Sequence, residues 1–308
     1  MLLEFTVPSV RKILRSQERW APLAERAGHG TAIKRGREIP LRVGVQSIVP
    51  EDPELHRKLG IGEKQTVLVV GGGHGDWANA LSQKSEVHYS DASLPMKKLA
   101  EARFAGKGIK SFAVADAMMW PRKAPYDWVF AYQPAPYGNT SLPIAILRAV
   151  AHAKGCVFVT DRLEIPKKVF DIFGDHFSRI YKAGYESSPE TIKSRPFGLR
   201  ESVKALFGGK HEPVWVFRVR ASESEEPRKQ AQADLKVLKA ASDEGPVDIR
   251  VLAGRLGMSE SRVVESLARL THLSNLLDEK AHHKVVVEMQ DKLARRATEY
   301  AERLQHQP

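Results

Sequence analysis

Apolar and polar positions along this chain change their rhythm twice. Between residues 63 and 220, short apolar runs alternate with segments of helical period. Val67 to Val70, Glu86 to Ser90, Lys110 to Ala115, Tyr126 to Tyr132 and Gly155 to Thr160 read as strands. Between them, Met96, Leu99, Ala100 and Phe104 share one helix face after Pro95, and a helix started by Pro143 runs through Ala153. Such alternation predicts a doubly wound, mostly parallel α/β sheet, with a sixth strand at Arg179 to Tyr185 and a seventh at Val214 to Val219. Residues 221–230 are polar, lack apolar anchors and contain Pro227, which predicts a linker. Residues 231–308 then form a second, smaller domain. Leu235, Val237, Leu238 and Ala241 mark its first helix, Ile249, Leu252, Ala253 and Leu256 its second, and Val263, Val264, Leu267 and Leu270 its third.

The first strand runs into Gly71-Gly72-Gly73-His74-Gly75 and then into a helix. A backbone without Cβ atoms at Gly71, Gly73 and Gly75 turns sharply and lets a ligand approach its N–H groups, and the helix aims its positive end at the same place. In open α/β sheets, ligands lie outside the carboxyl ends of the strands, where strand order reverses. Asp91 follows the second strand, Asp116 and Ala117 the third, and Gln133-Pro134-Ala135-Pro136-Tyr137 the fourth, so all should meet the loop there. Glycine loops of this kind also hold NAD or FAD, and Asp91 and Asp116 in isolation would equally serve as helix caps or turn residues.

Taken in order, Val-Val-Gly-Gly-Gly-His-Gly, Ser-Asp-Ala-Ser-Leu-Pro-Met, Ala-Asp-Ala and Tyr-Asp-Trp-Val-Phe resemble the class I S-adenosylmethionine-dependent methyltransferases over about residues 60 to 220. The resemblance implies their Rossmann-like seven-stranded fold and S-adenosylmethionine as cofactor. By position, Gly71, Gly73 and Gly75 would wrap the methionine part, Asp91 would hold the ribose hydroxyls, and Asp116 with Ala117 would face the adenine. Gln133 and Tyr137 lie where amino-methylating members carry an oxygen acceptor and a stacking ring for the target amine. Two prolines after a strand also simply end it and shape a loop. Many members place an acidic residue near the end of the first strand, where this chain has Val69 and Val70. The wording also resembles the aminopropyltransferases that make spermidine, although those carry acidic residues after the fourth strand, where this chain has Ala131-Tyr132-Gln133-Pro134.

The C-terminal stretch resembles winged helix-turn-helix domains in Gly245-Pro246-Val247-Asp248-Ile249 and in Leu252-Ala253-Gly254-Arg255-Leu256-Gly257-Met258-Ser259. Two short strands, Leu276 to Leu277 and Lys284 to Glu288, and a last helix, Asp291 to Gln305, would complete it. In DNA-binding members the third helix enters the major groove and the wing touches phosphate. Ser259, Ser261, Arg262 and Arg269, with Lys280 and Lys284, would then face nucleic acid. Glu260 and Glu265 on the same helix oppose phosphate, and such modules also serve protein contact.

Charge sharpens the partner question. The chain of 308 residues carries a formal net charge of +11, which suits a polyanion such as DNA or RNA. Arg11, Lys12, Arg15 and Arg19 recur at helical spacing, and Lys193, Arg195, Arg200, Lys204 and Lys210 fall in the long connection between the sixth and seventh strands. A single cysteine, Cys156, permits no disulfide within the chain. No apolar stretch has membrane-spanning length and no signal-peptide pattern opens the sequence, so a cytoplasmic protein with no membrane partner is expected. No metal site is expected either, since no Cys or carboxylate cluster completes His282 and His283 at familiar spacing. Residues 1–62 form an N-terminal extension, with an amphipathic helix over Val10 to Ala27 and a strand pair within Ile39 to Val49, suited to lid the cleft or to bind substrate.

Overall fold

The computed structural model describes residues 31–34, 37–40, 49–91, 94–115, 126–132, 142–160, 165–195, 210–243 and 248–278. In chain order these form β1 (Thr31–Lys34), β2 (Arg37–Pro40), β3 (Val49–Pro50), α1 (Leu55–Leu59), β4 (Thr66–Val70), α2 (Asp76–Leu81), β5 (Glu86–Asp91), α3 (Leu94–Phe104) and β6 (Ile109–Val114). They continue with β7 (Trp128–Tyr132), α4 (Leu142–His152), β8 (Gly155–Thr160), α5 (Ile165–Tyr181), β9 (Gly184–Arg195), β10 (Lys210–Arg220), α6 (Glu225–Asp243), α7 (Ile249–Leu256) and α8 (Glu260–Asp278).

A single sheet of eight strands, in the order β3-β9-β10-β8-β7-β4-β5-β6, organises the molecule, and β1 pairs with β2 in a separate antiparallel hairpin. From β4 the chain steps outward through β5 and β6, then returns to β7 and β8 on the other side, so strand order reverses between β4 and β7. That reversal point is where a doubly wound sheet leaves a crevice for a ligand. The core strands are parallel, as expected, and their sequences explain it. Val67 to Val70 and all of β8 are buried without alternation, the signature of strands covered on both faces. β10 runs antiparallel between β8 and β9, and β3 adds an eighth strand beyond the seven expected.

Two apolar layers sandwich this sheet. On one side Leu59, Val69, Trp77, Leu81, Tyr89, Phe104 and Phe130 join α1, α2 and α3 to the strands. On the other, Val129, Leu147, Phe158, Phe173, Phe177 and Phe217 lie in one continuous cluster with Val237, Leu252, Val263 and Leu270 of the C-terminal helices.

Several elements differ from expectation, each for a local reason. Arg179 to Tyr185 is the end of α5 and the start of β9. Phe170, Phe173, Phe177 and Tyr181 are all buried at helical spacing, and that period carries the helix past Arg179. Of the basic connection, Lys193 and Arg195 lie in β9 and Lys210 in β10, and the two strands pair from Lys210 with Ser194 to Arg220 with Gly184.

The stretch 221–230 is likewise helical from Glu225. Pro227 sits in the first turn, where its missing N–H has no helical partner to lose. Its polar neighbours are anchors of another kind. The Arg228 guanidinium donates to the Ala153 carbonyl (3.0 Å), Gln230 to the Ile180 carbonyl (3.5 Å) and Gln232 to the Ala151 carbonyl (3.0 Å), capping the open ends of α4 and α5.

The three expected C-terminal helices form, with Asp248 accepting from the Arg250 N–H (2.7 Å) as the N-cap of α7 and left-handed Gly257 ending it. Leu276 and Leu277, expected in a wing strand, fall inside α8 because that helix runs on to Asp278. Lys284 to Glu288, the last helix and the helix over Val10 to Ala27 lie outside the described residues. The N-terminal strand pair forms earlier than expected, over residues 31–40, and β3 instead joins the main sheet.

Candidate cofactor site

The loop after β4 contains glycine for two different reasons. Gly71 (φ 61°) and Gly73 (φ 52°) adopt left-handed backbone, and among the described residues a Cβ on either would meet nothing within 4 Å. Gly72 and Gly75 are closed in. A Cβ on Gly72 would lie 2.3 Å from the Tyr89 ring, and one on Gly75 would lie 2.9 Å from the Phe104 ring and 3.0 Å from the Ala100 Cβ. Of the three glycines expected to touch cofactor, Gly75 therefore serves the packing of α2 against α3.

Strand β5 fastens this loop. The Gly72 N–H donates to the Ser90 carbonyl (3.0 Å), the Gly73 N–H donates to Asp91 Oδ2 (2.9 Å), and the Tyr89 hydroxyl donates to the Gly73 carbonyl (2.7 Å). Burial, and then the nearby Asp91 charge, push the Tyr89 phenol well above its ordinary pKa, so it stays a proton donor. From α3, Arg103 donates to the His74 carbonyl (2.7 Å) and forks onto both carboxylate oxygens of buried Asp76 (3.0 and 2.7 Å).

Asp91 and Gly73, assigned to one ligand from sequence, are thus in direct contact at the carboxyl end of β5. An ionised carboxylate offers about four acceptor positions, so Asp91 can accept from more than one donor at once. The end of β6 is drawn to the same place: the Ala115 N–H donates to the Asp91 carbonyl (3.1 Å), and Val114 stands beside Asp91 in register. Asp116 and Ala117 follow directly but lie outside the described residues, as do Gln133 and Tyr137. Tyr132, immediately before Gln133, stacks on Trp77 (centroids 4.8 Å apart), which stacks in turn on Phe130 (5.2 Å).

Sequence reasoning missed Tyr89, Arg103 and the half-exposed Val114 that stands beside Asp91 in register. A signal for Tyr89 existed, since it stands two residues before Asp91 in a strand and so shares its face.

The second expected site divides. Ser259, Ser261 and Arg262 are exposed at the start of α8, where the Arg262 N–H donates to the Ser259 hydroxyl (3.4 Å) as an N-cap. Arg269 is turned inward. Its guanidinium donates to both oxygens of fully buried Asp234 (2.9 and 2.8 Å), and Tyr181 donates its hydroxyl to the same carboxylate (2.8 Å). The position falls on the face of α8 that packs against α6, so its charge is spent within the protein. Lys280 and Lys284 lie outside the described residues. Among the described residues, no group of His, Cys, Asp or Glu is placed to hold a metal ion, and no helix is long and apolar enough to cross a membrane.

No protein-family model matches the chain, and no curated protein matches it. Solved structures similar to it include class I S-adenosylmethionine-dependent methyltransferases. An S-adenosylmethionine-dependent O-methyltransferase from Thermotoga maritima shares 13% identity over 56% of this chain and 64% of that one, with a TM-score of 0.37. The N-methyltransferase NodS from Bradyrhizobium japonicum WM9 shares 16% over 55% and 92%, with a TM-score of 0.39. The 23S rRNA methyltransferase ErmE shares 14% over 72% and 99%, also with a TM-score of 0.39.

Proposed function

We propose that this protein is an S-adenosylmethionine-dependent methyltransferase whose acceptor is a macromolecule, specifically a nucleic acid. The observation that carries the cofactor half is the contact of Asp91 with Gly73 at the point of strand reversal, within the left-handed backbone of Gly71 and Gly73. When bound, S-adenosylmethionine supplies a methyl group already activated by its sulfonium. The protein's task is then to align an electron-rich acceptor and exclude water. Gly71 and Gly73 would present backbone to the ligand, Asp91 would accept from its ribose hydroxyls, and Asp116 with Ala117 would border the adenine. Gln133 would accept from the acceptor amine and Tyr137 would stack on its ring. The nucleic-acid half is supported by the net charge of +11 and by exposed Ser259, Ser261 and Arg262 at the start of α8.

Calorimetric titration of the full chain with S-adenosylmethionine tests the first half: binding is expected, and Asp91→Ala should weaken it at least tenfold, as loss of a charged hydrogen-bonding partner does. For the second half, affinity for duplex DNA or RNA should fall steeply with salt, and Arg262→Ala should lower the salt slope by about one. A second reading is favoured by buried Val69, which stands where many class I methyltransferases have an acidic residue. It takes the chain as a non-catalytic nucleic-acid-binding or scaffold protein, and it predicts salt-sensitive nucleic-acid binding with no heat on cofactor titration.

A further inference from the structure

Residues 71 to 73 have no side chains with which to hold themselves in place. Glycine crosses between left- and right-handed backbone readily, so the conformation of this loop must be imposed by its neighbours. Three consecutive residues of β5 do so: Ser90 through its carbonyl, Asp91 through its carboxylate and Tyr89 through its hydroxyl. These three differ in what a ligand does to them. Asp91 is the group that ligand hydroxyls compete for, so its bond to the Gly73 N–H is shared once the site fills. Tyr89 is fully buried beneath the loop, its ring occupying the space that a side chain on Gly72 would need, and its bond is to the opposite pole of Gly73.

We infer that Tyr89 is a positioning residue for the cofactor site, holding the Gly73 carbonyl so that the Gly73 N–H and Asp91 keep their geometry while the ligand draws on the carboxylate. The inference rests on the cofactor reading given above. Without the hydroxyl, the loop populates other backbone conformations, and apparent affinity falls by the fraction of time that the competent one is lost.

Tyr89→Phe in the full chain isolates the effect, because phenylalanine keeps the ring against Gly72 and removes only the donor. With S-adenosylhomocysteine as the probe, Kd should rise roughly three- to tenfold, the range expected for one neutral hydrogen bond. The melting temperature should fall by only about 2–4 °C, as expected for about 1 kcal/mol. Amide hydrogen exchange in the ligand-free protein should accelerate more in residues 71–75 than in β8, a local signature that a merely structural role would not give. Unchanged Kd and unchanged loop exchange overturn the inference, as does exchange that rises equally in the loop and β8. Tyr89→Leu, which also removes the ring, should add a further fall in melting temperature to the loss of affinity. If the unaltered protein does not bind S-adenosylhomocysteine, the cofactor reading itself fails and takes this inference with it. If it binds and Tyr89→Phe binds equally well, only the role of Tyr89 is lost.

Discussion

Removing the carboxylate of Asp234 tests how the C-terminal helices are held and, with them, the role of Arg269. Asp234 on α6 is fully buried and accepts from Arg269 on α8 and from Tyr181 on α5, so one side chain ties three helices. Asp234→Ala leaves the Arg269 guanidinium, 19% exposed, and the Tyr181 hydroxyl without that partner. Breaking one side of a buried ion pair costs about 3–5 kcal/mol, because the surviving charge is uncompensated. At roughly 2–4 °C per kcal/mol for a chain unit of this size, the melting temperature should fall by about 10 °C. Arg269→Met should destabilise at least as much, since the charge it strands is the more deeply buried. The double variant Asp234→Leu with Arg269→Met should recover much of the loss, because apolar replacement of a whole buried pair is often near neutral. Urea unfolding followed by circular dichroism measures all three, and nucleic-acid binding of Arg269→Met supplies the functional arm. If Arg269→Met keeps the unfolding midpoint yet lowers nucleic-acid affinity with a smaller salt slope, Arg269 faces the ligand and not Asp234.

Two more outcomes follow from the same geometry. Gly72→Ala drives a methyl group into the buried Tyr89 ring and should cost about 1–3 kcal/mol by overpacking, whereas Gly73→Ala meets none of the described residues within 4 Å and should cost only the roughly 1–2 kcal/mol of left-handed backbone. Thermal melts should therefore rank Gly72→Ala as the less stable, and the reverse order would refute the packing argument. His176, buried on α5 between His272, Phe177 and Tyr181, is pushed down to about 4 by burial, then by His272 and Arg179, from an ordinary value of 6.5. Its neutral form is the folded one, so the unfolded chain binds more protons between pH 4 and 6.5. Stability is full above pH 6.5 and is lost as pH falls toward 4, by at most about 3 kcal/mol. His56, lowered by burial and then by Lys84, adds in the same direction. In unfolding measured from pH 7 to 4.5, His176→Phe should flatten the decline, and an unchanged slope would show that the group does not contribute.

The legible parts of this fold were those written in period and composition. Val67 to Val70 and Gly155 to Thr160 are apolar throughout because both faces of their strands are covered, and Asp91 sits where a strand must end. The illegible parts depend on partners distant in sequence. Nothing around Arg228, Gln230 or Gln232 announces that their side chains will close the ends of α4 and α5, so the stretch reads as linker when only apolar anchors are counted. Arg269 has the same difficulty. A lone arginine in a helix reads as an outward charge, whereas its inward partner Asp234 lies 35 residues earlier in the chain. At the loop, the pattern of glycines was plain, but which of them are closed in is decided by the Tyr89, Ala100 and Phe104 side chains beneath it.

Val69 shows how the site and its support constrain one another. It is buried, paired in register with Tyr89 on one side and Phe130 on the other, and lies in the apolar layer that also contains Trp77. A carboxylate placed there would enter a buried layer that contains Trp77, Tyr89 and Phe130, at a cost of several kcal/mol in the ligand-free protein. The neighbouring acid, Asp76, is buried and accepts from Arg103 on both of its oxygens. On the cofactor reading proposed above, Asp91 and Asp116 would be the acids at the ligand, and of the two Asp91 is bonded to the glycine loop through the Gly73 N–H. On that reading, a change in β5 that shifts Gly73 should move the Asp91 carboxylate and the loop together.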